Sequence, residues 1–312
     1  MANRWEGFSM VLDSLDVSAE LPFEITKDYW LRKAEIQEIE RIKEELSKYN
    51  EALYLYEYEV VRLDEQRIQG NPLLPDKWKY YVISFSGSNE KLRDIEYAAN
   101  LLKNYISLGF IFFNPNDRLG RGTAYDLAQI STFFVEHHVR LEPSKSITQV
   151  DLREITRNYD LINSLNKNLY PNIPKAISDF HQTKIISKRS GLKVLSYFSI
   201  IECLVTHNPS PGDRTDSLTR QITAKMSLLN KRFETALQYK TYFPSFSDSN
   251  NIWKKLYDYR SRVAHGVETD FVHEYKAFGS SDNILTFLKE AIKQLQLTAL
   301  KEPELLADLQ NC

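Results

Sequence analysis

The sequence predicts an α+β protein, with an α+β N-terminal domain over residues 1–145 and an all-helical C-terminal domain over residues 150–312. Before residue 145, short aromatic and β-branched runs alternate with segments of helical periodicity, whereas after residue 150 almost every window has the helical period. The length of 312 residues suits two modest domains better than one small core. A composition of 42% hydrophobic and 26% charged residues is typical of a globular protein.

The N-terminal domain is predicted to mix helices and strands in the following order. Residues 24–49 carry apolar side chains at helical spacing and are predicted to form an amphipathic helix, with Leu31, Ile36, Ile39, Ile42 and Leu46 on its apolar face. Residues 53–63 and 78–85 are rich in aromatic and β-branched side chains and are predicted to be strands. Residues 90–108 return to helical periodicity, and Phe110–Phe113 form a short apolar run that predicts a buried strand.

The C-terminal domain is predicted to consist of helices separated by clusters of Pro, Ser, Asn and Gly. Those turn clusters delimit helices near residues 151–166, 174–188, 190–207, 214–229, 250–265 and 281–299. Gly266 directly follows the fifth of these helices and is predicted to stop it.

Compartment and cofactor predictions depend on what the sequence lacks. It contains no apolar run of the length that a membrane span requires, and its N-terminus has no apolar secretory segment. The two cysteines, Cys203 and Cys312, are too few for a disulfide framework or a zinc site. We therefore expect a cytoplasmic protein with reduced cysteines that binds no membrane, metal or cofactor.

Positive charge is concentrated in one stretch of the C-terminal domain. Residues 181–232 hold nine Lys and Arg against three acidic residues, although the whole chain has a net charge of −2. A locally basic stretch is compatible with a groove for a polyanion, but an ordinary solvated helix face has the same composition. The candidate RNA contacts in this stretch are Lys188, Arg189, Lys193, Arg214 and Arg220.

One segment carries the functional prediction. Arg260 and His265 lie at the end of the helix predicted over residues 250–265 with four residues between them, and Gly266 follows directly. Two helices earlier, Glu202 is an acidic residue in an otherwise apolar pattern. The order of an apolar helix with Ile-Glu, a Pro-rich loop, a basic helix and the segment from Trp253 to Gly266 resembles the Apea-like branch of the HEPN superfamily, over about 125 residues of the chain.

This resemblance implies a helical bundle that pairs as a homodimer and cleaves RNA without a metal. Arg260 and His265 match the Arg-x4-His motif, and Glu202 matches a polar position that often supports the site. Tyr259, Ser261 and Arg262 are further supporting candidates. Anti-phage defence or RNA-targeting toxicity, with a protein trigger or an antitoxin as partner, is the setting that the resemblance implies.

The chemistry of the motif residues fits this expectation. An imidazole titrates near neutral pH, so His265 can accept or donate the proton of a ribose 2′-hydroxyl. A guanidinium remains charged and can hold two phosphate oxygens, so Arg260 can stabilise the charge that develops on phosphorus.

The residues alone leave several alternatives open. The cations near residue 265 can simply complement the negative end of a helix dipole, and Glu202 can be the structural partner of an arginine. Within one helix, Ser261 and Arg262 are closer neighbours of His265 than Arg260 is. A non-catalytic HEPN module that binds RNA or a nucleotide, or that serves as a dimerisation scaffold, would also carry this pattern. Ser261 occupies a position at which many HEPN members have Asn, His or Asp.

Overall fold

The protein divides into two compact units, Met1–Asn163 and Ser164–Cys312. The computed structural model describes residues 6–48, 54–62, 64, 67–113, 123–124, 127–139, 143–207, 217–246 and 248–311. Within these residues the first unit combines antiparallel sheet with helices, and the second unit is helical. The predicted α+β class, with strands preceding a helical C-terminal part, is therefore confirmed.

The first unit is built on an antiparallel sheet of strand order β3-β4-β7-β1-β8-β9. Two further pairs, β2 with β10 and β5 with β6, lie outside it. The strands are β1 Gly7–Val11, β2 Leu15–Val17, β3 Phe23–Thr26, β4 Tyr29–Lys33, β5 Tyr58–Arg62, β6 Ile68–Pro72, β7 Tyr81–Phe85, β8 Leu108–Phe113, β9 Thr123–Ala124 and β10 Lys145–Ile147. The helices are α1 Ile36–Leu46, α2 Tyr54–Glu57, α3 Lys91–Asn100, α4 Leu127–Val139 and α5 Gln149–Ser164.

Alternation along the strands supplies one face of the core of this unit. Phe8 and Met10 of β1, together with Phe112 of β8, are buried in one cluster with Ile39 and Ile42 of α1. Successive strand residues point to opposite faces, so the intervening side chains leave this cluster. The helical spacing that predicted α1 is thus the spacing that places its apolar stripe on the sheet.

The predicted helix over residues 24–49 is correct only in its second half. Residues before Lys33 form the hairpin β3–β4, and the turn between these strands contains Asp28 with a φ of 72°. Leu31, which fits the helical spacing, is instead paired with Ile83 across β4 and β7. The sheet buries the Leu31 side chain, so strand pairing determines the structure here although the apolar spacing fits a helix. The predicted strand over residues 53–63 likewise begins with a helical turn, α2, before β5.

Helix α5 belongs to the first unit, whereas the sequence assigned these residues to the C-terminal domain. The amide of Asn158 is buried in α5 and donates to the carbonyl of Ala98 at the end of α3, with an N–O distance of 3.4 Å. Tyr159 of the same helix lies near Thr26 of β3, with which its hydroxyl interacts. The division between the units therefore falls after Asn163, later than the predicted boundary at residues 145–150.

The second unit contains seven α-helices among its described residues. They are α6 Asn172–Gln182, α7 Gly191–Val205, α8 Leu218–Leu229, α9 Tyr239–Tyr242, α10 Ser249–Ala264, α11 Ser281–Lys301 and α12 Pro303–Gln310. At the start of α7, α8, α10 and α11, a short polar side chain accepts a backbone N–H of the helix. The accepting residues are Ser190, Ser217, Asp248 and Ser280. Short polar residues in the turn clusters thus fix where these helices begin.

The core of the second unit is largely aromatic. The fully buried ring of Phe287 in α11 contacts Phe243 at a centroid distance of 5.0 Å and Trp253 at 5.5 Å. Offset and edge-to-face ring pairs of this kind contribute beyond their buried area. The high aromatic content of the chain therefore builds core here. No helix in the described part of the chain combines the length and apolarity that crossing a membrane requires.

Candidate functional site

The candidate site lies on the last two turns of α10. Asp248 begins this helix, and Ile252, Trp253, Leu256 and Tyr259 bury one face of it. The remaining residues of the last turns, including Arg260 and His265, lie outside that buried stripe. The apolar spacing of the segment therefore determines which motif residues can reach solvent.

Gly266 ends α10 as predicted. Its φ of +67° is left-handed, and its N–H donates to the carbonyl of Val263 at 3.2 Å, while the N–H of Val267 donates to the carbonyl of Arg262 at 3.0 Å. These two bonds with a left-handed residue between them form the Schellman closure of a helix C-terminus. His265 is the C-cap residue, and its own N–H donates to the carbonyls of Ser261 and Arg262.

The imidazole of His265 is exposed, and it makes no hydrogen bond or ion pair to any residue that the structure describes. Arg260 precedes it by five positions, which on an α-helix corresponds to about 7.5 Å of rise and about 140° of rotation. The two side chains accordingly leave the helix in different directions. Helix geometry therefore directs Arg260 and His265 apart within one chain.

Arg260 instead contacts Glu202 of α7. An Nη atom of Arg260 lies 3.5 Å from Oε1 of Glu202, and the two side chains retain 30% and 18% of their exposure. The guanidinium carbon also lies 5.5 Å from the ring centroid of Tyr257. Arg260 Nε and Glu202 Oε1 are both buried without a hydrogen-bond partner. Glu202, which the sequence analysis offered as a supporting residue or as the structural partner of an arginine, thus lies beside Arg260.

Tyr257 completes the cluster and was not among the predicted site residues. Its hydroxyl lies near the Glu202 carboxylate, with which it interacts electrostatically. Burial first, and the nearby negative charge of Glu202 next, raise the pKa of Tyr257 to about 12, so the hydroxyl is protonated near neutral pH and can donate. The available signal was the spacing of three residues between Tyr257 and Arg260, which puts both on one helix face.

Antiparallel packing of α7 against α10 brings these residues together. A Cβ at Gly191 would lie 2.8 Å from Cγ1 of Val263, and the rings of Phe198 and Tyr257 meet edge to face at 5.8 Å. Later residues of α7 therefore contact earlier residues of α10. Helical side chains tilt toward the N-terminus of their own helix, and in an antiparallel pair this tilt directs Glu202 and Arg260 toward each other.

The predicted supporting residues of α10 are placed differently. Arg262 forms an ion pair with Glu274, with an N–O distance of 2.8 Å. Tyr259 is buried, its ring packs against Tyr275, and its hydroxyl donates to Ser281 at 3.3 Å. Tyr259 is therefore a core residue and not a solvent-facing member of the site. Ser261 is half-buried, and its carbonyl accepts the N–H of His265.

The predicted RNA contacts divide into two groups. Lys188, Arg189 and Arg220 are exposed. Lys193 is only 6% exposed, and its ammonium donates to the carbonyl of Ile186 at 2.7 Å. The prediction for Lys193 was wrong because this side chain closes a turn before α7 and does not face solvent. Arg214 lies outside the residues that the structure describes.

The arrangement can bind an anion but offers few metal ligands. Arg260 is half-exposed and carries a fixed positive charge, and Arg189 precedes α7, whose first residue, Gly191, adjoins the last turn of α10. Guanidinium groups of this kind suit phosphate oxygens. In the described part of the chain, no three His, Cys, Asp or Glu side chains cluster as a metal site would require.

Comparison of the chain with protein-family models, with curated proteins and with solved structures gives no match.

Proposed function

We propose that the protein is a metal-independent endoribonuclease of HEPN type that acts as a homodimer through its helical second unit. The observation that carries the proposal is the presence of Arg260 and His265 on the solvent-facing end of one helix, where His265 has an exposed imidazole free of polar contacts to the described residues. Because the two side chains diverge within one protomer, a second copy would have to complete the site.

The proposed reaction needs only proton transfer and charge stabilisation. His265 accepts the proton of a ribose 2′-hydroxyl, the 2′-oxygen forms a bond to the adjacent phosphorus, and the bond from phosphorus to the 5′-oxygen breaks. The leaving oxygen takes a proton from the partner subunit's His265. Arg260 stabilises the extra negative charge on phosphorus. The products are a 2′,3′-cyclic phosphate and a 5′-hydroxyl, and a positioned acid or base contributes about 10²–10⁴-fold to such a step.

The decisive experiment incubates purified protein with total cellular RNA in EDTA and analyses the ends of any fragments. We expect the wild type to produce 2′,3′-cyclic phosphate ends and both His265→Ala and Arg260→Ala to produce none. His273→Ala is the matched control, because His273 is an exposed histidine of the same unit whose ring is hydrogen-bonded to Asp270. Cleavage that persists in both motif variants would refute the proposal.

The setting follows from the same proposal. An RNase of this kind in anti-phage defence or RNA-targeting toxicity would remain inactive until a protein trigger binds or while an antitoxin is bound. Failure of the wild-type chain to express in cells that express His265→Ala well would support the toxin setting. Equal expression of both would contradict it.

A second candidate is a non-catalytic HEPN module that binds RNA or a nucleotide, or serves as a dimerisation scaffold. The contact between Glu202 and Arg260 favours this candidate, because the Glu202 carboxylate already contacts the guanidinium that would otherwise bind phosphate. RNA binding that weakens with salt but yields no product would favour this candidate.

A further inference from the structure

Two arginine–glutamate pairs in this protein differ in quality. In the first unit, Arg32 meets Glu38 through two hydrogen bonds of 2.7 and 2.6 Å. In the second unit, Arg260 approaches Glu202 through one N–O contact of 3.5 Å and makes no hydrogen bond with it. A bidentate, hydrogen-bonded pair is the strong form of this interaction, and the Glu202–Arg260 contact, which we call the resting pair, is not of that form.

The resting pair leaves two buried polar atoms unsatisfied. Arg260 Nε is a donor without an acceptor, and Glu202 Oε1 is an acceptor without a donor. Each such atom carries a desolvation penalty that a hydrogen bond would remove. A guanidinium that turned toward an external phosphate would regain an acceptor, so the resting pair opposes such a move only weakly.

Tyr257 is a second neighbour of Glu202. Its hydroxyl lies near the carboxylate, and its ring contacts both Phe198 and the Arg260 guanidinium. A hydroxyl therefore remains beside the carboxylate as an available donor when Arg260 leaves it. This arrangement lets Arg260 exchange partners while Glu202 keeps a polar neighbour.

We propose that Glu202 occupies the position of a substrate phosphate on Arg260, that RNA binding displaces it, and that Tyr257 is the positioning residue that keeps Glu202 there. The inference deepens the proposed function and rests on it only in taking the phosphate to be that of RNA. It makes Glu202 a competitor of the substrate, whereas a supporting role would make it a contributor to RNA binding.

The test measures binding without cleavage. The probe is a fluorescein-labelled single-stranded 2′-O-methyl oligoribonucleotide, which has the phosphodiester backbone but no 2′-hydroxyl to attack phosphorus, and the readout is fluorescence anisotropy with the full chain. We expect Glu202→Gln to bind about fivefold more tightly than the wild type, which corresponds to about 1 kcal/mol, the upper end for a solvent-accessible ion pair. Tyr257→Phe keeps the ring and removes the hydroxyl near Glu202. We expect its affinity to lie between those of the wild type and Glu202→Gln.

Two controls separate displacement from a general charge effect. Glu302→Gln removes the same charge from the ion pair with Arg232 in the same unit and is expected to change affinity less than Glu202→Gln does. In an Arg260→Ala background, Glu202→Gln is expected to have no effect. Weaker or unchanged binding by Glu202→Gln, or the same gain in the Arg260→Ala background, would overturn the inference.

The outcome is separable from that of the proposed function. Tighter binding by Glu202→Gln in a protein that cleaves no RNA would support the exchange of partners and refute the nuclease. Cleavage by the wild type together with weaker binding by Glu202→Gln would do the reverse. If Glu202→Gln fails to fold, Tyr257→Phe decides the question, because weaker or unchanged binding by that variant overturns the inference.

Discussion

Replacement of Gly266 by Ala tests how much the left-handed backbone conformation at the end of α10, next to His265, contributes to stability. Gly266 has a φ of +67°, and a Cβ at this position would have no heavy atom within 4 Å, so the substitution introduces no clash. The left-handed conformation costs an L-residue about 1–2 kcal/mol. Lower entropy of the unfolded chain returns about 0.4–1 kcal/mol. We therefore expect Gly266→Ala to lower the free energy of unfolding of the second unit by about 1 kcal/mol.

Scanning calorimetry provides the assay. For a domain of about 150 residues, 1 kcal/mol shifts the unfolding temperature by about 2–4 °C. Gly266→Asn is the matched variant, because asparagine tolerates the left-handed region better than other non-glycine residues, and we expect it to lose less. An unfolding temperature of Gly266→Ala equal to that of the wild type would refute the argument that backbone conformation at this position stabilises the helix end.

Three further outcomes follow from the described contacts. Glu38→Ala leaves the buried guanidinium of Arg32 without its carboxylate partner. We expect the free energy of unfolding in urea to fall by about 3 kcal/mol, and a fall below about 1 kcal/mol would contradict the importance of that pair. Phe287→Ala opens the aromatic core of the second unit and is expected to cost about 3–5 kcal/mol by calorimetry, and a smaller cost would mean that the core closes around the gap. For single-stranded RNA binding, we expect Arg189→Ala to lower the slope of log affinity against log salt concentration by about 0.7. We expect Lys193→Met to leave that slope unchanged, because the Lys193 ammonium is bound to a backbone carbonyl. Equal slopes for both variants would contradict this distinction.

The helices of the second unit were largely predictable from the sequence. Apolar residues recur at helical spacing there, and Pro, Ser and Gly clusters separate the segments, so α10 and α11 begin and end within about two residues of the predictions. In the first unit, the β3–β4 hairpin was predicted as helix. Leu31 has the same apolar character in either structure, and only its pairing partner in β7 decides between them.

The residues of the candidate site were also only partly predictable from the sequence. Arg260, His265 and Gly266 were identifiable because their chemistry depends on local spacing and on the end of one helix. The burial of Lys193 and Tyr259 was not identifiable, because a lysine or tyrosine in a helical pattern can face either solvent or core. Tyr257 was missed because its partner, Glu202, is distant in sequence.

The sequence by itself determined the class of the fold, the positions of most helices and the residue types available for chemistry at the end of α10. These depend on periodicity, turn residues and side-chain chemistry, all of which are local properties. Only the tertiary structure decided which residues meet: that α7 lies antiparallel to α10, and that Glu202 and Tyr257 contact Arg260. Packing joins residues that are far apart along the chain, and local periodicity does not specify their partners.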